Sequence, residues 1–187
     1  MMTLLRTLLI AVLLAPLSGA FAQDQDLWEA LRRGGHALLI RHALAPGTGD
    51  PAGFQVDDCA TQRNLSEEGR QQARQLGKLL RDQGLKGNPV YSSQWCRCLD
   101  TARLLDLKEV EPFRGLNSFF RHRAREPEQT REVLALLQAH RQGPSPVLVT
   151  HQVNITALTG VFPRSGEMVV VRLTGEGLEV LGRIDPP

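Results

Sequence analysis

Two histidines and two arginines of this 187-residue chain stand where strand-like apolar runs give out. Arg41-His42 closes the run HALLIR, Arg97 follows PVYSS by a few residues, and His151 follows PVLVT. A guanidinium group binds phosphate oxygens through paired N–H donors. A neutral imidazole can attack phosphorus and hold it covalently, while nearby cations stabilise the equatorial oxygens as the group transfers. A lone loop histidine is ordinarily structural, and so is an arginine in a first helical turn. What points to chemistry is the shared position, because ligands of open α/β sheets bind along the carboxyl ends of the strands. Gln152, Arg63 and Asn64 are expected nearby as polar contacts to a substrate.

The elements that must position these residues follow from period and punctuation. His36 to Arg41, Pro89 to Ser92 and Pro146 to Thr150 are short apolar runs suited to buried strands, and Glu109 to Pro112 is a further short strand. Between them, the spacing predicts helices over 26–33, from Ser66 to Gly84, over 94–105, over 129–141 and from Gln152 onward. Ser66 is a natural N-cap, with Glu67 and Glu68 suited to the positive helix end. Met168 to Leu173 and Leu178 to Ile184 flank Thr174-Gly175-Glu176-Gly177, a hairpin signal. Alternating strands and helices predict an α/β three-layer sandwich: a mostly parallel central sheet, helices on both faces and an antiparallel C-terminal edge hairpin.

Composition narrows the function classes. Hydrophobic residues make up 42% of the chain and charged ones 22%, with a formal net charge of +2, which excludes a disordered tail and gives no general basic field for nucleic acid. Residues 1–22 read as a secretory signal peptide, with Arg6, the apolar run Leu8 to Leu14 and the small-x-small end Ala20-Phe21-Ala22. The expectation is a leader over 1–22 and one domain over 23–187, periplasmic or secreted, with no membrane span. Of three cysteines, Cys59 is expected to bridge to Cys96 or Cys98, as an oxidising compartment permits. Cys-x-Cys lacks zinc-ligand spacing, and no metal or cofactor is expected.

The loop from Leu44 to Ala60, rich in Gly, Pro and Asp, reads as a specificity loop at a pocket mouth. Arg114, Arg121, Arg123 and Arg125 form either a solvated face or, in part, a contact to an anionic substrate, and His122 goes with that basic surface. Trp28 and Trp95 read as packing residues, and His36 and His140 as structural.

Four segments together resemble the histidine phosphatase superfamily. LLIRHA resembles its Arg-His-Gly signature, and LSEEGRQQA its helix start with Ser66 in place of threonine. SSQWCRCLDTA resembles its second motif and VTHQVNITALTG its third, in the same order and spacing. The resemblance implies His42 as the nucleophile that becomes phosphohistidine, Arg41 and Arg97 as the phosphoryl clamp, and His151 as a donor to a phosphoryl oxygen, without metal. It implies a phosphatase acting on a small phosphorylated substrate or a phosphorylated envelope glycolipid. The alternatives are a non-catalytic binder of such envelope ligands and a phosphomutase. The chain departs from the pattern at Ala43 and Gln152, where the family commonly has Gly, and at Asn117, near where a Glu proton donor is expected. Glu111 and Glu126 are the nearest acids on either side, and Glu111 is the candidate general acid.

Overall fold

The computed structural model describes residues 18–175 and 177–187. Residues 1–17, with most of the expected leader, lie outside the described residues, as does Glu176 of the hairpin turn. The expected cleavage point after Ala22 falls within the first helix, α1 (Ser18–Arg33). The chain then runs through β1 (His36–Arg41), α2 (Glu67–Asp82), β2 (Val90–Ser92), α3 (Cys96–Leu105), β3 (Val110–Pro112), α4 (Glu126–Ala139), β4 (Val147–Thr150), α5 (Gln152–Thr159), β5 (Met168–Leu173) and β6 (Leu178–Ile184).

The strands form one sheet in the order β3-β2-β4-β1-β5-β6. β1, β4, β2 and β3 are mutually parallel, whereas β5 runs antiparallel to both β1 and β6. β1 sits centrally, and Leu38, Leu39 and Ile40 are all fully buried. A strand covered on both faces needs a continuous apolar run, not an alternating one, which is why HALLIR has no period-2 pattern. Leu38, Ile40, Val147 and Val149 pack under α1, α2 and α3 through Leu31, Leu76, Leu80 and Leu105. Leu39, Leu148, Val169 and Val171 face the opposite layer, meeting Val133 and Leu137 of α4 and Ile155 of α5. The result is the expected three-layer α/β sandwich with an antiparallel C-terminal edge.

Local chemistry fixes the element ends that matter to the site. Ser66 caps α2, its Oγ accepting from the Gly69 amide at 3.0 Å. Gly69 lets α2 approach the chain just beyond β1 so closely that a Cβ would overlap the Leu44 carbonyl oxygen. α1 ends at Gly34, whose φ of +80° is the left-handed region that only glycine enters freely. α4 starts three residues earlier than its apolar period predicts, because Pro127 near its first position presets φ and Glu126 and Glu128 suit the helix start. The aperiodic stretch between β3 and α4 contains two short 3-10 turns, over Arg114–Leu116 and Arg123–Arg125. Among the described residues no helix is long and apolar enough to cross a membrane.

Candidate active site

Strand register brings the candidate residues to one edge. Arg41 lies beside Thr150, and Ser92 beside Val149, so β1, β4 and β2 end nearly level. The next residues continue the pairing, with the His42 amide donating to Thr150 O at 2.9 Å and the Ser93 amide to Val149 O at 2.9 Å. His42 and His151 thereby face each other with ring centroids 5.6 Å apart. Arg97, in the first turn of α3, reaches between them. All three are buried, and with Arg41 they line a cavity of about 210 Å³ at the carboxyl edge of the sheet.

The His42 ring is fixed by its own backbone. Nδ1 donates to the Ala43 carbonyl at 2.8 Å, which leaves the lone pair on Nε2, 3.3 Å from Arg97 Nε. Burial first, and then the charge of Arg97, push the His42 pKa well below the ordinary imidazole range. His151 is pushed down by the same causes in the same order. Both rings are therefore neutral at pH 7.

Every N–H of Arg97 has a direction. Nε points at His42. Nη1 donates to Asp50 Oδ1 at 2.6 Å and to Arg63 O at 3.3 Å. Nη2 donates to Asp50 Oδ2 at 3.3 Å and toward His151 Nδ1 at 3.4 Å. Asp50 also accepts from Trp95 Nε1 at 3.0 Å. Burial alone would raise the Asp50 pKa, but the hydrogen bonds and charge of Arg97, with help from Trp95, hold it below its usual value. On the far side of His151, Nε2 lies 2.8 Å from Ser93 Oγ. That hydroxyl is also 3.3 Å from Asn117 Oδ1, which accepts the Gln94 amide at 2.8 Å.

The remaining candidates divide. Arg63 lines the cavity and ties the specificity loop with Nε to Gly49 O at 2.7 Å and Nη1 to Ala45 O. Gln152 lines it too, with its amide on Thr156 Oγ1 at 2.9 Å. Arg41 donates to Pro163 O at 2.9 Å, and its buried Nε has no hydrogen-bond partner among the described residues. Asn64 does not line the cavity; its amide holds Cys59 O at 2.7 Å. Glu111 does not reach the cavity either. It is exposed on the edge strand β3, where it pairs beside Tyr91 of β2, one strand further out than the strands that carry the site. Glu126 begins α4 outside the lining, and Asn117 serves as a scaffold amide for Gln94 and Ser93.

Two lining residues, Asp50 and Phe54, have no motif to announce them; Trp95, expected as packing, also lines the cavity, and of the basic run before α4 Arg121, His122 and Arg125 reach it. Trp95 stacks on Phe54, with centroids 4.9 Å apart, and forms a cavity wall as well as packing. Cys59 of the specificity loop is bridged to Cys96, the residue before Arg97, and Cys98 stays free. Burial pushes the Cys98 thiol up to about 12, so it remains protonated beside His151. Among the described residues no group of three or more His, Cys, Asp or Glu side chains could hold a metal ion.

Residues 37–119 match the family model of the histidine phosphatase superfamily (branch 1). The fold is shared with solved phosphatases at low sequence identity. One is a phosphoserine phosphatase from Entamoeba histolytica, solved with 3-phosphoglyceric acid (15% identity, TM-score 0.59, covering 80% of this chain and 96% of that one). Another is the protein histidine phosphatase SixA complexed with tungstate (16%, 0.57, 81% and 97%). A third is the alpha-ribazole phosphatase from Shigella flexneri (16%, 0.54, 78% and 94%). No curated protein is significantly similar to the chain in sequence.

Proposed function

We propose that this chain, whose residues 37–119 match the histidine phosphatase superfamily (branch 1), is a member of that superfamily and a metal-independent phosphatase that works through phosphohistidine at His42. The observation that carries this reading is the pair of neutral imidazoles facing across Arg97, with the His42 lone pair directed into the gap. In the first step Nε2 attacks phosphorus, and the bond from phosphorus to the leaving group breaks with its electron pair. The guanidinium groups of Arg41 and Arg97 and the N–H of His151 receive the phosphoryl oxygens. Water then attacks the phosphohistidine, giving back neutral His42 and inorganic phosphate.

The one carboxylate among the lining residues, Asp50, is ionised on Arg97 in the free enzyme. A leaving alkoxide would therefore draw its proton from water, which favours phosphoramidates, anhydrides and aryl esters over simple alkyl esters. The disulfide supports an oxidising compartment, the periplasm or the exterior.

The test is hydrolysis of p-nitrophenyl phosphate by the mature chain in excess EDTA. Turnover is expected, with capture of an acid-labile phosphoryl adduct on His42. His42→Ala is expected to lose about a thousandfold or more in kcat while keeping its fold. Wild-type rates in that variant would overturn the assignment. Phosphate-binding without any turnover would favour the non-catalytic binder instead.

A further inference from the structure

The guanidinium group of Arg41 is steered from outside the cavity. Nη1 donates to the Pro163 carbonyl at 2.9 Å, and Nε is the buried donor left without a partner among the described residues. Nε is therefore the N–H available to a phosphoryl oxygen in the cavity that Arg41 lines. What aims the Pro163 carbonyl is the peptide unit to which it belongs. The N–H of that same unit, at Arg164, donates to Glu167 Oε2 at 2.7 Å. A trans peptide is planar, with its N–H and C=O directed oppositely. Anchoring the N–H on a carboxylate thus fixes where the carbonyl points, and a charge-assisted bond at one end polarises the acceptor at the other.

Glu167 is fully buried and yet does not line the cavity. A buried carboxylate is costly unless it is paired, and a well-packed apolar residue would fill the same space more cheaply. Here the carboxylate is well paired. Oε1 accepts from Arg183 Nε, Arg164 Nε lies 3.6 Å from Oε2, and Arg164 is tied in turn to Asp185. Burial alone would raise the Glu167 pKa, but Arg183 and the Arg164 amide hold it below its usual value. The backbone around it grips the same target. Glu167 O accepts the Arg41 amide at 3.2 Å, and the Gly166 amide donates to Arg41 O at 3.1 Å. The Glu167 amide closes the turn on Arg164 O at 3.1 Å, with Gly166 at a φ of +76°.

We propose that Glu167 is a positioning residue for phosphoryl transfer, orienting Arg41 through the Pro163–Arg164 peptide unit. This deepens the phosphatase reading and rests on it, since Arg41 is taken to receive the phosphoryl group.

The experiment measures hydrolysis of p-nitrophenyl phosphate and calorimetric binding of inorganic phosphate, well below the Tm of each variant. Glu167→Ala is expected to lose about tenfold in kcat/KM, as for one charge-assisted hydrogen bond. Glu167→Gln fills the same space and keeps an oxygen for the Arg164 amide, so it should lose only about threefold, and it carries the same test where the alanine variant does not fold. The deciding background is Arg41→Gln. There, either substitution at Glu167 should cost less than about twofold more, because the group it acts through is already gone. Losses that multiply would overturn the proposal. Arg183→Gln, at a half-exposed position, leaves the Arg164 amide its acceptor. It should lower Tm while keeping phosphate affinity within about twofold of wild type. An affinity that falls as far in Arg183→Gln as in Glu167→Ala would reduce Glu167 to a stabilising role. Phosphate binding is read in the His42→Ala background, without turnover, so a failure of the phosphatase reading is distinguishable from a failure of this coupling.

Discussion

Asp50 grips the Nη1–Nη2 fork of Arg97 with both carboxylate oxygens, at 2.6 and 3.3 Å, from a loop 47 residues earlier in the chain. The grip leaves the Nε and Nη2 edge of the guanidinium aimed at the His42 and His151 lone pairs. A phosphoryl group entering between the two rings would meet that edge already oriented, and preorganised donors are what stabilise transition-state charge. Asp50→Ala would leave the Arg97 charge buried and unpaired, costing about 3 kcal/mol of stability. It should also weaken inhibition by inorganic phosphate and lower kcat. Phosphate inhibition that tightens in Asp50→Ala would mean that Asp50 competes for the anion site instead of shaping it.

Ser93 decides which nitrogen of His151 faces the cavity with a proton. In the free enzyme Nδ1 accepts from Arg97 Nη2, and the Nε2 N–H donates to Ser93 Oγ at 2.8 Å. Once a phosphoryl group takes up that Arg97 donor, the hydroxyl turns to donate to Nε2, which leaves the N–H on Nδ1, toward the phosphoryl oxygen. Ser93→Ala should cost about tenfold in kcat, comparable to losing one orienting hydrogen bond of about 1.4 kcal/mol. KM for an aryl phosphate should move less. Ser93→Thr keeps the hydroxyl and should recover part of the loss. An alanine variant with full kcat would remove the tautomer argument.

How far the sequence could be read depended on what fixes each residue. HALLIR and PVLVT announce central strands because they are buried on both faces; Arg41, His42 and His151 stand at or just past their ends, while Arg97 comes in the first turn of the helix after PVYSS. Asp50 could not be singled out in the same way. The loop holds Asp50, Asp57 and Asp58 without any period, and its path is set by the Cys59 bridge and the Arg63 contacts. Cys96 and Cys98 were indistinguishable partners by spacing. Two residues apart on α3 they point to different sides, and the fold turns Cys98 toward His151 and the core, leaving Cys96 to meet the loop. The arginines before α4 sort by the irregular turns there, which carry no repeat to read.

The two depressed imidazoles fix the acid behaviour. Protonating His42 removes the attacking lone pair, so activity falls as pH drops through its folded-state pKa. Burial and Arg97 hold that pKa well below the ordinary value, so the acid limb of kcat/KM should lie well below pH 6.5. Stability follows the linked sign. The unfolded chain takes up protons on both rings near pH 6.5 while the folded chain does not, so Tm should decline as pH falls below about 6.5. Asp50, held low in the fold, adds to the decline at lower pH still. Rate profiles and Tm measured between about pH 4 and 8 check both; an acid limb at or above 6.5 would contradict neutral, buried rings.

Reduction should reach the site through one residue. The Cys59–Cys96 bridge closes a 37-residue separation and anchors the specificity loop to the residue just before Arg97. Opening a loop of that size costs roughly 3–4 kcal/mol in the chain-entropy account, or a Tm loss of about 10 °C for a chain of this length. The loop also carries Asp50, so its release loosens the fork on Arg97 even where the fold persists. Treatment with dithiothreitol, or Cys59→Ser, should therefore lower kcat/KM at temperatures well under the new Tm. Cys98→Ser leaves the bridge intact and should cost clearly less, about 1 kcal/mol or some 2–4 °C in Tm, for a hydroxyl placed at a buried site. Activity in Cys59→Ser that tracks only the folded fraction would confine the bridge to stability and separate it from the orientation of Arg97.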